Sequence, residues 1–173
     1  MSSSDKVMVF VPACLLCPVL QAKYDSEKTA WNHAVVSFLQ AKNISMFQMP
    51  CSEATFPHPQ CGLNRKPHGV GFYERLAGYS EYARKLAAAT ASQMAEFSEN
   101  GYRVLAVLGI EHSPSCAASY IYMGSYGTVH RSGLYLQALR DESKSRGLDI
   151  PFIGINRNFP QKAISELDKL TGR

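Results

Sequence analysis

The sequence predicts an α/β protein: a single-domain, three-layer Rossmann-like fold with a mostly parallel four- to five-stranded sheet. Three observations predict it. Continuous apolar runs at 7–11, 104–108 and 151–155 read as strands buried on both faces. Amphipathic segments of helical period separate them. The resulting alternation of strand and helix implies a parallel sheet covered on both sides, with right-handed crossovers. At 173 residues the chain suits about one domain, so 1–173 is read as a single unit.

The elements follow in order. Val7-Met8-Val9-Phe10-Val11 forms the first strand and Pro12 ends it. Ser26 is placed to cap the next helix, whose buried face is Trp31, Ala34, Val35, Phe38 and Leu39, ending near Asn43. Residues 44–49 make a second strand, stopped by Pro50. A long loop at 51–71 holds Pro57, Pro59 and Pro67 with Gly62, Gly69 and Gly71; loops of this length are often functional. Phe72, Leu76, Tyr79, Ala83, Leu86, Thr90, Met94 and Phe97 recur at steps of three and four, which predicts one long helix stopped by Asn100-Gly101. A third strand at 104–108 leads into a second irregular stretch, 109–131. Residues 134–146 are helical, with Tyr135, Ala138 and Leu139 on one side and Gly147 as the stop. The fourth strand is 151–155. Pro160 begins a last helix whose face is Ala163, Ile164, Leu167 and Leu170.

Composition excludes several classes. With 46% hydrophobic and 18% charged residues the chain is not a disordered tail. The 12 Gly and 9 Pro exclude collagen-like sequence. The net charge of +4 is mild, and the densest basic stretch, Arg65-Lys66 beside His68, is too short for the basic stripe of a nucleic-acid binder. No apolar run reaches the ~20 residues of a membrane helix, and 1–6 lacks a signal-peptide pattern. The expectation is a cytoplasmic protein with reduced thiols, a small-molecule substrate, and no nucleic-acid or membrane partner.

Five cysteines, an odd number, do not suggest a disulfide framework. Three of them follow strands directly: Cys14 after the first, Cys51 after the second, and Cys116 after the third, in loops 12–26, 50–71 and 109–131. Open parallel sheets bind ligands beyond the carboxyl ends of their strands, so three thiols distant in sequence converge on one small volume. Soft thiolates suit zinc or an iron–sulfur cluster. Structural zinc usually takes two close ligand pairs; Cys14-Leu15-Leu16-Cys17 is one, and no second exists. A cluster held by three cysteines has an iron with no protein thiolate, free to act as a Lewis acid toward a soft sulfur. A thioredoxin-like pair at Cys14 and Cys17 is the alternative from thiol chemistry. The first strand is not followed by G-x-G-x-x-G, and there is no Walker-type lysine loop.

At these cysteines the sequence resembles the thiouracil desulfidase family. That family opens with a strand, then Ser-Ala-Cys-Leu-Leu-Gly and Arg-Tyr-Asp-Gly; this chain reads Pro12-Ala13-Cys14-Leu15-Leu16-Cys17 and Lys23-Tyr24-Asp25-Ser26. The family's Cys-Pro-Glu corresponds to Cys51-Ser52-Glu53, and its Ser-Pro-Ser-Cys-Gly to Ser113-Pro114-Ser115-Cys116-Ala117. The resemblance implies a [4Fe–4S] cluster held by Cys14, Cys51 and Cys116, and a non-redox conversion of a thiocarbonyl compound to the carbonyl with release of sulfide. Cys17, Ser52 and Ala117 depart from the pattern, which marks a divergent branch whose substrate can differ from thiouracil. Cys17 or Cys61 as a fourth ligand would instead make a closed, non-catalytic sensor or sulfur carrier.

The resemblance implies catalysis by Glu53, as base on water or acid to the leaving sulfur; position alone also suits a helix-start carboxylate. Ser113 and Ser115 are candidates to orient substrate or water, although such hydroxyls also cap their own backbone. Asp25 and His112 are candidate substrate-binding residues. His58 and His68 are possible further ligands. Arg65, Lys66 and Arg131 read as solvated surface with the capacity to attract an anion, and Tyr120, Tyr122 and Tyr126 as rings on which a base could stack.

Overall fold

The computed structural model describes residues 6–22, 30–63, 65–123 and 126–172. Its central sheet has four strands, all parallel: β1 (Val7–Pro12), β2 (Ser45–Met49), β3 (Arg103–Ile110) and β6 (Phe152–Ile155), in the order β2-β1-β3-β6. The remaining strands, β4 (Tyr120–Tyr122) and β5 (Thr128–His130), form a separate antiparallel ribbon.

Why the strands read as unbroken apolar runs is clear from where alternate residues go. Met8 and Phe10 pack with α5 (Tyr79–Glu99) and α6 (Leu134–Ser145) on one face. Val9 and Val11 pack with α2 (Ala30–Ala41) and α7 (Gln161–Thr171) on the other. Both faces are therefore covered, as all-parallel sheets require. The stripe Trp31, Val35 and Leu39 buries α2, as its spacing predicts. Ala83, Ala87 and Ala91, at successive i+4 positions, form the buried stripe of α5. Where α5 meets α6, the hydroxyls of Thr90 and Tyr135 hydrogen-bond at 2.8 Å, so neither buried oxygen is left unpaired.

Two expectations need correction. The long helix is two: α4 (Val70–Arg75) and α5, broken at Gly78, whose φ of +80° favours glycine. Periodicity continues across the break because both helices bury one side in the same cluster, which contains Tyr73 and Tyr79. The stretch 109–131 is not wholly irregular, since it carries the β4–β5 ribbon; strands this short carry too little periodicity to be seen. The main sheet has four strands among the described residues, as the four- to five-stranded expectation allows. The expected Ser26 cap and Asp25 lie outside the described residues. No described helix is long and apolar enough to cross a membrane.

The topology places the site. From β1 the chain moves outward to β2, then passes back over β1 to β3 and on to β6. The order reverses between β1 and β3, and at such a switch point the loops leave in opposite directions and open a crevice at the carboxyl edge.

Candidate functional site

Short helices deliver the first two cysteines. Cys14 lies in α1 (Ala13–Leu16), which starts where β1 ends. The Asn32 amide of α2 donates to the Cys14 and Leu15 carbonyls at 2.8 and 2.9 Å, tying this turn to the α2 layer. Cys51 stands just before α3 (Ser52–Thr55), so Glu53 falls in the first turn of that helix. The third cysteine follows β3 on a turn pressed tightly against its surroundings. A Cβ on Gly133 would overlap the Ser115 carbonyl, and one on Gly109 would overlap the carbonyl of Cys116. Glycine at these two positions is what lets the Ser113–Cys116 turn approach the sheet. Ser113 Oγ also accepts the backbone N–H of Cys116 at 3.0 Å, a local cap of the kind expected for serine.

The three thiols converge as the strand ends predict. Cys14, Cys51 and Cys116 line one cavity of about 220 Å³, together with Glu53, Ser113 and His112. Each thiol is held above its ordinary value near 9, and burial is the main cause. Cys14 is pushed up to about 12, with the nearby charge of Cys51 adding to burial. For Cys51 the Glu53 carboxylate adds to burial while Arg65 opposes both. Cys116 is driven well up, by burial and then by Cys51. Neither Cys17 nor Cys61 lines the cavity.

Glu53 is the centre of the polar network. It is buried, and each carboxylate oxygen accepts from two side-chain donors. Ser115 Oγ donates to Oε1 at 2.5 Å and Ser113 Oγ donates to the same oxygen at 3.2 Å. Tyr73 OH donates to Oε2 at 3.1 Å, and Arg65 Nε donates there at 3.2 Å. The first-turn position thus holds a buried, hydrogen-bonded carboxylate rather than a solvated helix-start charge. Burial and Glu53 both push the Tyr73 phenol up, so it stays protonated as a donor.

Arg65 overturns its surface reading. Its side chain is only 4% exposed and makes an ion pair with Glu53. It also donates to the Gly62 carbonyl at 3.0 Å and reaches Cys51 Sγ at 3.8 Å. Burial pulls the guanidinium down, but the charges of Glu53 and Cys51 outweigh it and hold it above its ordinary value. Removing either partner of such a pair leaves the other as an uncompensated buried charge.

The other candidates divide. His112 is exposed, lines the cavity, and adopts φ +70°, a left-handed conformation that costs a side chain about 1–2 kcal/mol. Its backbone N–H donates to the Tyr120 carbonyl at 2.7 Å, which holds the ribbon beside the site. His68 lines the cavity and stacks on Phe72 with ring centres 3.9 Å apart. His58 stacks on Phe56 and does not line it. Arg131 pairs with Glu74 at 2.5 Å on the surface, and Lys66 is exposed. Of the three tyrosines only Tyr122 lines the cavity; Tyr120 packs edge-on against His130, and Tyr126 is exposed.

Sequence reasoning missed Tyr73, which its helical pattern passed over, and a second wall of the cavity made by Gln21, Trp31 and Arg157. Arg157 follows β6 by two residues, so the strand-end rule that found the cysteines would have found it too. Gln21 Nε2 and Trp31 Nε1 are buried with no hydrogen-bond partner. Burying such a donor costs about 1–3 kcal/mol.

The chain shares its fold with an iron–sulfur enzyme. Among solved structures it is similar to a [4Fe-4S]-dependent thiouracil desulfidase, TudS, with a TM-score of 0.50 over 95% of this chain and 99% of that one, at 17% identity. No protein-family model and no curated protein matches the sequence. The likeness establishes the Rossmann-like α/β architecture; the chemistry rests on the residues themselves.

Those residues can be tested against the group the resemblance implies. Among the described residues no three His, Cys, Asp or Glu side chains are gathered so as to hold a metal ion. Three thiols on one cavity, each from a different strand end, instead suit a larger sulfur-bridged group bound by cysteine. The donor set fits an iron–sulfur cluster.

Proposed function

We propose that the protein is an iron–sulfur-dependent desulfidase that converts a small thiocarbonyl compound to the carbonyl and releases sulfide. The observation that carries this reading is the meeting of Cys14, Cys51 and Cys116 with a buried Glu53 on one cavity at the sheet's switch point. Those cysteines are the residues to hold a [4Fe–4S] cluster. When bound, such a cluster with three protein thiolates supplies a Lewis-acidic iron suited to a soft sulfur.

The chain's own residues supply the proton chemistry. In the net reaction a water oxygen bonds to the thiocarbonyl carbon, the carbon–sulfur bond breaks, and both water protons leave on sulfur as hydrogen sulfide. No electrons are gained or lost. Glu53 takes a proton from the attacking water and passes it to the departing sulfur, acting first as base and then as acid. Arg65 and Tyr73 fix Oε2, and Ser113 and Ser115 fix Oε1, so the carboxylate needs no reorganisation before it acts. Ser115 Oγ, 2.5 Å from Oε1 and 3.5 Å from Cys116 Sγ, stands between the acid and the third cysteine and holds the carboxylate beside it. His112 lines the approach to the thiols from the β3 side.

The test is anaerobic reconstitution, followed by an absorption spectrum, iron and acid-labile sulfide analysis, and a sulfide-release assay with 2-thiouracil. Matched iron and sulfide that depend on each of the three cysteines, with sulfide released from the substrate, are the expected results. A chain that stays colourless and metal-free after reconstitution would refute the reading.

A further inference from the structure

The end of β3 brings Cys116 to the cavity, but the loop that follows needs a further tie to fix where its thiol stands. Glu111 has the geometry of that tie. It is the first residue past β3, and its backbone N–H donates to the Ile155 carbonyl at 2.9 Å, which carries the β3–β6 ladder one step on. Its side chain is buried, with 8% of the residue exposed. A carboxylate buried in this way needs donors, and two backbone N–H groups supply them. Tyr120 donates to Oε2 at 2.7 Å and Ser119 at 3.3 Å. Beside it the His112 N–H donates to the Tyr120 carbonyl at 2.7 Å. Residues 111–112 and 119–120 thus close on each other, and the loop between them holds Ser113, Ser115 and Cys116.

The sheet makes room for this loop. Val107 of β3 and Phe152 of β6 pack on the α5–α6 side. Two residues further on, alternation brings Gly109 and Gly154 to that same side, and these two glycines are partners in the β3–β6 register. A Cβ on Gly109 would overlap the Cys116 carbonyl, and one on Gly154 would overlap the Glu111 carboxylate. Glycine inside a strand marks a close approach of this kind. Two neighbouring side chains are therefore absent where Glu111 and Cys116 lie against the sheet. The Ile110 N–H completes the seat by donating to the Cys116 carbonyl at 2.8 Å.

We infer that Glu111 is a positioning residue: its carboxylate latches the loop that carries Cys116 and the two serines, and so sets the third thiol and the donors on Glu53 Oε1. It acts through the loop backbone and not on the reacting atoms. What this placement does for turnover rests on the desulfidase reading; the latch itself does not. A contact that merely stabilises the fold protects all buried thiols alike, whereas the latch governs one thiol of the three.

Timed alkylation of the metal-free full chain with iodoacetamide, read cysteine by cysteine by peptide mass spectrometry, tests this, with urea midpoints measured alongside. In Glu111→Ala, Cys116 should react at least about tenfold faster relative to Cys14 and Cys51, the worth of one hydrogen bond to a charged acceptor. Glu111→Gln keeps an acceptor oxygen without the charge and should restore most of the wild-type ratio, leaving a rise of roughly threefold. Gly154→Ala drives the carboxylate off its seat and should reproduce the Cys116-selective rise with Glu111 itself intact. A rise shared equally by the three cysteines, in step with the loss of urea stability, overturns the inference and leaves Glu111 a general stabilising contact. Unchanged Cys116 reactivity in Glu111→Ala overturns it too. Should neither alanine variant fold, Glu111→Gln decides, and a ratio equal to the wild type's overturns the inference. Anaerobic reconstitution separates the two readings. A Cys116-selective rise in a chain that takes up no iron would leave the latch standing and remove the desulfidase. Full iron and sulfide release in the wild type, with no selective rise in the variants, would sink the latch alone.

Discussion

Replacing Arg65 by Met tests whether the core of the site is a buried charge network or a surface residue that happens to face inward. The substitution keeps a long apolar stem and removes the guanidinium. Glu53 loses the donor at 3.2 Å on Oε2, and the Gly62 carbonyl loses its partner at 3.0 Å. The carboxylate stays buried with Tyr73, Ser113 and Ser115 still bound to it. Breaking one side of a buried ion pair costs about 3–5 kcal/mol, and these three surviving donors place the loss near the low end, about 3 kcal/mol. At ~2–4 °C per kcal/mol for a chain of this size, the melting temperature should fall by roughly 6–12 °C. Urea unfolding followed by the fluorescence of Trp31, the only tryptophan, gives the stability directly. The cycle with Glu53→Gln isolates the pair: the double variant should be less destabilised than the two single losses added, because the stranded charge is gone. A loss in Arg65→Met within about 0.5 kcal/mol of zero, the range of ordinary surface changes, would refute the network.

Other outcomes follow from the same geometry. Glu53→Gln should keep its iron and lose about 10²–10⁴ of the sulfide-release rate, the range of general acid–base contributions; an unchanged rate would remove Glu53 from the chemistry. Cys17→Ala and Cys61→Ala should retain full iron and acid-labile sulfide, since neither thiol lines the cavity, and loss of iron from either would show the ligand set to be wrong. Gly133→Ala places a Cβ against the Ser115 backbone and should displace the Cys116 turn, lowering iron content along with stability; a variant that loads iron normally would show that the turn can yield. The metal-free chain should lose stability as pH rises from about 9 toward 12. The unfolded chain gives up thiol protons in that window while the fold retains them, so stability is full below the unfolded value and falls above it. Urea midpoints at pH 8 and 10 measure the fall, and Cys14→Ser should make it shallower.

Much of this site was legible in the sequence because it obeys rules of chain direction. Strands of continuous apolar residues predicted a doubly covered parallel sheet, and three cysteines directly after strands predicted one shared edge. Both follow from topology and need no knowledge of side-chain packing. The residues that escaped notice work through long-range contacts. Arg65 sits between a proline-rich loop and a neighbouring lysine, and nothing local distinguishes it from a solvated charge; its pairing with Glu53, 12 residues away, goes with its burial. Tyr73 lies off the apolar pattern of its helix because its hydroxyl, rather than its ring alone, is what the fold uses. The break at Gly78 was hidden for a different reason, since the two helices it separates bury residues in one cluster and so keep a common phase.

The same contrast explains why the thiols meet at all. The thiols need only the carboxyl ends of β1, β2 and β3 in register, which the sheet order enforces whatever the helices look like. Glu53 needs only the first turn after β2 and donors from the turn after β3. Arg157 comes from the loop beyond β6, Gln21 from the end of the first loop, and Trp31 from the start of α2. The strand ends thus fix the thiols and Glu53, while the far side of the cavity is built from loops and a helix start whose positions those strand ends do not set.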